Sequence, residues 1–246
     1  AAAIADDGWV LVRDALDAAT VRAAAAALDE VFAAEDDIAG TREWLTDAYR
    51  VAYMLPAKHP DLLAAATHPA LIGLARAVLG DDCVLGGSNG IDMLPGGPGQ
   101  PLHADHPVPT PGHTLYVHMV CPLDEFTAER GATRVVTGSH LRSPDERTPP
   151  ADDAASVEVV EAEPGDVIVY DATLWHGGGA NRTDLHRRAL HVLWVRPWVQ
   201  PHWDVAASLP PEVAATLDDD QRRLLGFTSR PRRFDLSARR ATRALP

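Results

Sequence analysis

Gly165-Asp166-Val167-Ile168-Val169-Tyr170-Asp171-Ala172-Thr173-Leu174-Trp175-His176-Gly177-Gly178-Gly179 is the stretch on which the fold reading turns. A Gly-Asp turn opens it. The run Val167–Asp171 that follows is too short and too β-branched for a helix, and a second turn delivers a histidine into three glycines. The same punctuation recurs along the chain. Cys83–Leu94 reads as extended, and Pro95-Gly96-Gly97-Pro98-Gly99-Gln100-Pro101 is turn-rich. Strand-like runs recur at Thr114–Cys121, Thr133–Thr137, Val157–Glu161 and Ala189–Val195. The first third differs. After a short extended piece at Gly8–Val12, Asp14 or Asp17 can cap a helix through Val21–Ala34, apolar at Val21, Ala24, Leu28, Val31 and Phe32. A second helix over Pro69–Leu79 stops at Gly80. Helices first and many short strands after predict a mainly β fold, a sandwich or jelly roll with helices packed outside.

The 246 residues suit one domain, read as a mostly helical part over 1–80, a jelly-roll core over 81–200 and a C-terminal extension over 201–246. A chain this long, 46% hydrophobic, can bury a sizeable core without staples. Cys83 and Cys121 are too far apart for a CxxC zinc site and suit a reducing, cytoplasmic setting. The net charge of -13 argues against a nucleic-acid partner and, weakly, against strongly anionic substrates. No run of about 18 apolar residues stands out, so no membrane-spanning helix is expected. Ala1–Asp7 has neither a Met nor the basic n-region of a leader, which reads as a trimmed or processed start. Lys58 is the only lysine among 22 basic residues, which with the abundant Ala suggests a GC-rich genome. Residues 35–50 and the polar segment 141–156 are expected to be loops able to cover a site, and the arginine-rich tail from Arg230 a surface segment. Oligomeric state leaves no mark in the sequence.

Leu102-His103-Ala104-Asp105-His106 carries the chemistry. Residues i and i+2 of an extended chain point the same way, so His103 and Asp105 project together. An imidazole and a carboxylate on one face are two of the three ligands of the 2-His-1-carboxylate site that suits Fe(II) and leaves positions open. His176 is the best third ligand, since Gly177–Gly179 gives an incoming molecule room. His106, His113 and His118 compete for that place, with His118 in a strand where it could face the pocket and His106 pointing away from Asp105. These ligand types also suit zinc. Arg187 follows His176 by eleven residues on the next strand. Its guanidinium fork could hold the far carboxylate of a dicarboxylate cosubstrate, whereas Arg188 points to the other face.

These residues resemble the phytanoyl-CoA dioxygenase family of Fe(II)/2-oxoglutarate oxygenases. The likeness covers most of the chain. Asp7–Val12 resembles the family's entry strand, and Gln100-Pro101-Leu102-His103-Ala104-Asp105 its glutamine-then-HxD segment. Leu123-Asp124, Gly131–Val136 and Gly138-Ser139-His140 resemble its central signature. Gly165-Asp166, Trp175-His176-Gly177, Asn181 and Arg187 follow in order. Arg130 and Thr137 depart from it, standing where the family often has Asn and Pro. The resemblance implies a double-stranded β-helix, the jelly roll shared with cupins. It implies iron at His103, Asp105 and His176, Arg187 on the far carboxylate of 2-oxoglutarate, and no catalytic side chain beyond the metal ligands. Gln100, Thr133 and Asn89 are candidate polar groups for the cosubstrate. With O2, the implied reaction is hydroxylation of a C–H bond in a small molecule, a bacterial secondary-metabolite intermediate in the first instance. Desaturation, cyclisation and epimerisation stay open. Related halogenases have a small residue where Asp105 stands, so halogenation is not expected. A cupin-like isomerase or hydrolase without 2-oxoglutarate and a non-catalytic binding protein are the competing readings.

Overall fold

A computed structural model describes residues 1–35, 48–106, 108, 110–143, 148–152, 154–230, 232–237 and 240–243. The proposed covering segment at 35–50 falls largely outside them, and so does part of 141–156. Short α1 (Ala2–Asp6) leads into strand β1 (Trp9–Val12), and helix α2 (Ala18–Ala34) follows. Asp17 begins α2 by accepting hydrogen bonds from the N–H groups of Ala19 at 2.8 Å and Thr20 at 2.9 Å. Asp14 has another role: its backbone N–H donates to the Asp166 carboxylate at 3.0 Å. After β2 (Tyr49–Ala52) come α3 (Pro60–Ala66) and α4 (Pro69–Leu79). Each begins with a histidine whose Nδ1 accepts from the backbone, His59 from Asp61 and His68 from Ala70, followed directly by proline. Gly80, at φ 94, ends α4.

No membrane-spanning helix was expected, and one stretch comes up on length and composition. Pro60–Leu79 is long and apolar enough to span a membrane, with a hydropathy of 1.6. The fold breaks it at Thr67 and His68 into two helices of 7 and 11 residues. Their Leu62, Ala65, Leu71, Ala75 and Leu79 join the core.

The remaining elements are β3 (Val84–Met93), β4 (Tyr116–Pro122), β5 (Thr133–Val135), β6 (Glu158–Val160), β7 (Val167–Asp171), β8 (His176–Gly178) and β9 (Arg187–Val195). The six-stranded sheet runs β1-β7-β4-β9-β3-β2 and the three-stranded sheet runs β6-β5-β8. Neighbouring strands are antiparallel throughout. Alternation along the strands sorts the core into two layers. Leu190, Val192 and Trp194 of β9, with Val167 and Val169 of β7, pack under Leu28 and Phe32 of α2 and the apolar faces of α3 and α4. Ile168, Tyr170 and Ala189 turn to the other face and meet Phe126, Val135 and Val160 between the sheets. Burying a side chain of the size of Leu28 or Phe32 contributes roughly 1.5–3 kcal/mol, so α2 is held mainly by this packing. The C-terminal extension follows. It forms α5 (Val205–Ser208), α6 (Pro211–Thr216) and α7 (Asp219–Leu224), then a hairpin of β10 (Arg232–Asp235) and β11 (Arg240–Arg243).

Candidate metal centre

His176 lies within β8, and His103 pairs with it backbone to backbone. His103 N donates to His176 O and His176 N to His103 O, both at 2.9 Å. This bridge adds the His103 segment to the smaller sheet and places the two imidazoles side by side, their ring centroids 4.6 Å apart. Asp105, two residues on, completes a trio whose ligand atoms all lie within 4.8 Å of one another. His103 Nε2 is 3.6 Å from Asp105 Oδ1, and His176 Nε2 is 3.4 Å from Asp105 Oδ2. Among the described residues this is the only cluster of three such groups.

The trio fits a metal ion on a test independent of its residue types. His103 Nδ1 lies 2.9 Å from Pro101 O, and His176 Nδ1 lies 3.0 Å from Leu174 O. A carbonyl only accepts, so each Nδ1 carries the proton and each Nε2 turns its lone pair to the centre. Burial drives the His176 imidazole down to about 4, which keeps that lone pair free at neutral pH. Burial acts on Asp105 in the opposite sense, but His118, 2.8 Å from its Oδ2, works against it, and the carboxyl is held well below its usual range. Two nitrogens and one carboxylate oxygen with open space beside them suit Fe(II).

Two further side chains reach the trio. His118 Nδ1 stands 2.8 Å from Asp105 Oδ2. The Tyr170 hydroxyl is 3.0 Å from His118 Nδ1, 3.1 Å from His176 Nε2 and 3.4 Å from Asp105 Oδ2. The alternation rule reaches His118, because β4 and β7 pair His118 with Tyr170 in register. Nothing in the sequence separates Tyr170 from an ordinary core aromatic. His106 turns away as expected, its ring 4.7 Å from that of Tyr116.

A cavity of about 380 Å³ adjoins the trio, and Gln100, Thr133, Asn89 and Arg187 all line it. Arg187 is 3% exposed. Its guanidinium lies 3.6 Å above the Phe126 ring, and its Nη2 is 3.5 Å from Thr133 Oγ1. Its Nε has no partner, and no carboxylate pairs with it among the described residues. Burial lowers this guanidinium to about 10, which still leaves it charged at neutral pH. A buried cation without an anion is costly, and an incoming carboxylate would relieve that cost. Arg188, on the opposite face of β9, pairs with Asp124 at 3.0 Å and Asp29 at 2.7 Å. Gln100 Oε1 accepts from Gly178 N at 3.0 Å and Asn89 Oδ1 from Met54 N at 3.3 Å, so each amide is partly committed to the scaffold. His191 also lines the cavity, with Nε2 enclosed and unpartnered, and was not anticipated.

Comparison with known proteins agrees with the geometry. The chain is 28% identical over 243 residues to dioxygenase cdmA of Talaromyces verruculosus, covering 91% of this chain and 80% of that one. It is 32% identical over 186 residues to dioxygenase af480 of Aspergillus fumigatus, covering 73% of this chain but 59% of that longer protein. Among solved structures, the non-haem alpha-ketoglutarate-dependent carbocyclase SnoK from nogalamycin biosynthesis superimposes with a TM-score of 0.68 at 25% identity. That match covers 80% of this chain and 82% of SnoK. The family profile of phytanoyl-CoA dioxygenase (PhyH) matches residues 4–189, a span that holds every motif on which the resemblance was drawn. The chain belongs to the phytanoyl-CoA dioxygenase family.

Proposed function

We propose that this chain is an Fe(II)- and 2-oxoglutarate-dependent oxygenase that hydroxylates a C–H bond of a small molecule, in the making of a secondary metabolite. One observation carries the reading: a two-histidine, one-carboxylate trio shares a cavity with a buried arginine that has no anion of its own. When bound, the iron with 2-oxoglutarate and O2 supplies the oxidising power, as the cosubstrate is converted to succinate and CO2. The chain's part is to hold and orient. His103, Asp105 and His176 present three donors from one side and leave the cavity side open. Arg187, backed by Phe126 and Thr133, fixes the far carboxylate, and Gln100 and Asn89 offer their remaining amide hydrogens along the wall. His118 and the Tyr170 hydroxyl hold Asp105 Oδ2, which leaves Oδ1 for the ion. The carboxylate at 105 occupies the place a halide would need, so halogenation is not expected.

The test has two parts. Anaerobic addition of Fe(II) and then 2-oxoglutarate is expected to develop the visible charge-transfer band of an iron–oxo-acid chelate, absent in His103→Ala and His176→Ala. With O2 and a library of small molecules, 2-oxoglutarate is expected to yield succinate. Metal binding with no chelate band and no succinate would favour a cupin-like isomerase or hydrolase. Absence of metal binding would favour a binding protein.

A further inference from the structure

The cavity beside the trio is at the small end for a ligand site, about 380 Å³, and on the oxygenase reading it must also hold a five-carbon diacid. That diacid takes the polar end near Arg187. What remains for a substrate is mainly carbon, from Val51, Ile91, Leu193 and the rings of Tyr53 and Trp203, with His202 beside them. Trp203 forms the outer wall. Its backbone N–H donates to Gly86 O at 3.2 Å, and its ring is tilted against that of Tyr53 with centroids 5.7 Å apart. Gly87 makes room for it, since a Cβ there would stand 2.8 Å from Trp203 Cδ1. The register shift between Leu85 and Gly87 falls at the same place.

Behind that wall lies a second cavity of about 700 Å³, larger than the first. His202 and Trp203 line both. Its other surfaces are mainly apolar, from Val84, Leu85, Val199, Val205 and Leu225. Its charged lining residues are Asp204 and Arg230, which pair with each other at 2.7 Å. The pair is neutral as a unit, so among the described residues nothing there anchors a phosphate, sulfate or carboxylate.

We propose that the substrate is a neutral, largely apolar molecule too large for the inner cavity. Its reacting carbon lies at the trio, and its body passes Trp203 into the second cavity. The division of the inner cavity rests on the oxygenase reading; the character of the second cavity does not. Among the described residues the second cavity offers no free cation to a strongly anionic substrate such as an acyl-CoA, in keeping with the net charge of -13.

Binding of testosterone, testosterone sulfate and 2-naphthol to the full chain tests this. The protein is loaded with Ni(II) and 2-oxoglutarate to prevent turnover, and the readout is calorimetry. Testosterone is expected to bind about tenfold more tightly than its sulfate, because the added anion would be desolvated without a partner. Ser229→Trp fills the second cavity from its rim and is expected to weaken testosterone about tenfold while leaving 2-naphthol, which fits the inner cavity, within about twofold. Equal or tighter binding of the sulfate, a Ser229→Trp effect that is absent or common to both neutral probes, or no binding of testosterone at its solubility limit would each overturn the proposal. Failure of 2-oxoglutarate to bind, with the testosterone results as expected, would sink the oxygenase reading and leave the second cavity standing.

Discussion

Asp105 serves a metal ion through whichever oxygen its neighbours leave free, and His118 and Tyr170 decide which. Both sit against Oδ2. Groups that orient a ligand this way are commonly worth about 10–100-fold in metal affinity, so Tyr170→Phe and His118→Ala are each expected to lose that much in a competitive Co(II) titration with the far-UV circular dichroism unchanged. Affinities equal to the wild type would reduce both to packing groups. A second consequence at this scale concerns His191. Burial, with Arg187 and His118 nearby, pushes its imidazole down to about 3, while the unfolded chain restores the ordinary 6.5. Between those values the unfolded state binds the extra proton. The native state therefore loses stability as pH falls below 6.5, by up to about 1.4 kcal/mol per pH unit for one such group. Urea melts of the metal-free protein from pH 7 to pH 4 are expected to show this decline, with a shallower slope in His191→Phe; parallel slopes would refute the assignment. His103 and Asp105 could be read from the sequence because the i, i+2 spacing of an extended stretch turns both to one side, even though only His103 is bridged to the sheet and Asp105 lies in a bend. Tyr170 could not, because two of its three site partners stand 52 and 65 residues away and its own strand neighbours are core residues.

At the scale of elements, several of the residues that carried the family likeness hold connections rather than perform chemistry. Ser139 Oγ accepts from Trp175 N at 2.8 Å, and Asn181 Nδ2 donates to Leu94 O and Leu185 O. Asp166 is the clearest case. Its carboxylate, 2% exposed, accepts from Asp14 N at 3.0 Å, Glu163 N at 2.9 Å and Arg13 Nη1 at 2.6 Å. It thereby ties the exit of β1 to the turn that starts β7. Asp166→Ala is expected to cost about 2–3 kcal/mol, from two backbone donors left without their acceptor; Arg13, largely exposed, recovers water and adds little. A chemical-denaturation midpoint within error of the wild type would show that water replaces the carboxylate. The departures at Arg130 and Thr137 are accommodated locally, with Arg130 on His186 O and Thr137 Oγ1 accepting from Trp9 Nε1 at 2.7 Å. Elements with strong periodicity or a cap, such as α2, α4 and β7, were readable within a few residues. The three residues of β8, His-Gly-Gly, carry no strand propensity and exist as a strand through pairing with β5. The C-terminal helices escaped notice because each is 4 to 6 residues long, too short to show a period.

Across the whole molecule the site is divided between two sheets, and that division has a thermodynamic consequence. His176, with His103 bridged to it, belongs to the three-stranded sheet. Arg187 belongs to the six-stranded sheet, anchored in β9. A metal ion alone draws its histidine ligands from one sheet, whereas a diacid held at one end by the metal and at the other by Arg187 links both. Ligands that bind only the folded chain stabilise it by mass action, about 2.7 kcal/mol at a hundredfold excess over Kd. For a chain of this size that is roughly 5–10 °C in Tm. Ni(II) is therefore expected to raise Tm, 2-oxoglutarate to add a second rise only when Ni(II) is present, and 2-oxoglutarate alone to do little. In Arg187→Ala the first rise should persist and the second vanish, while His103→Ala should lose both. If 2-oxoglutarate stabilised the metal-free protein as well as the loaded one, the diacid would not span the two sheets, and its anchor would have to be sought away from the trio.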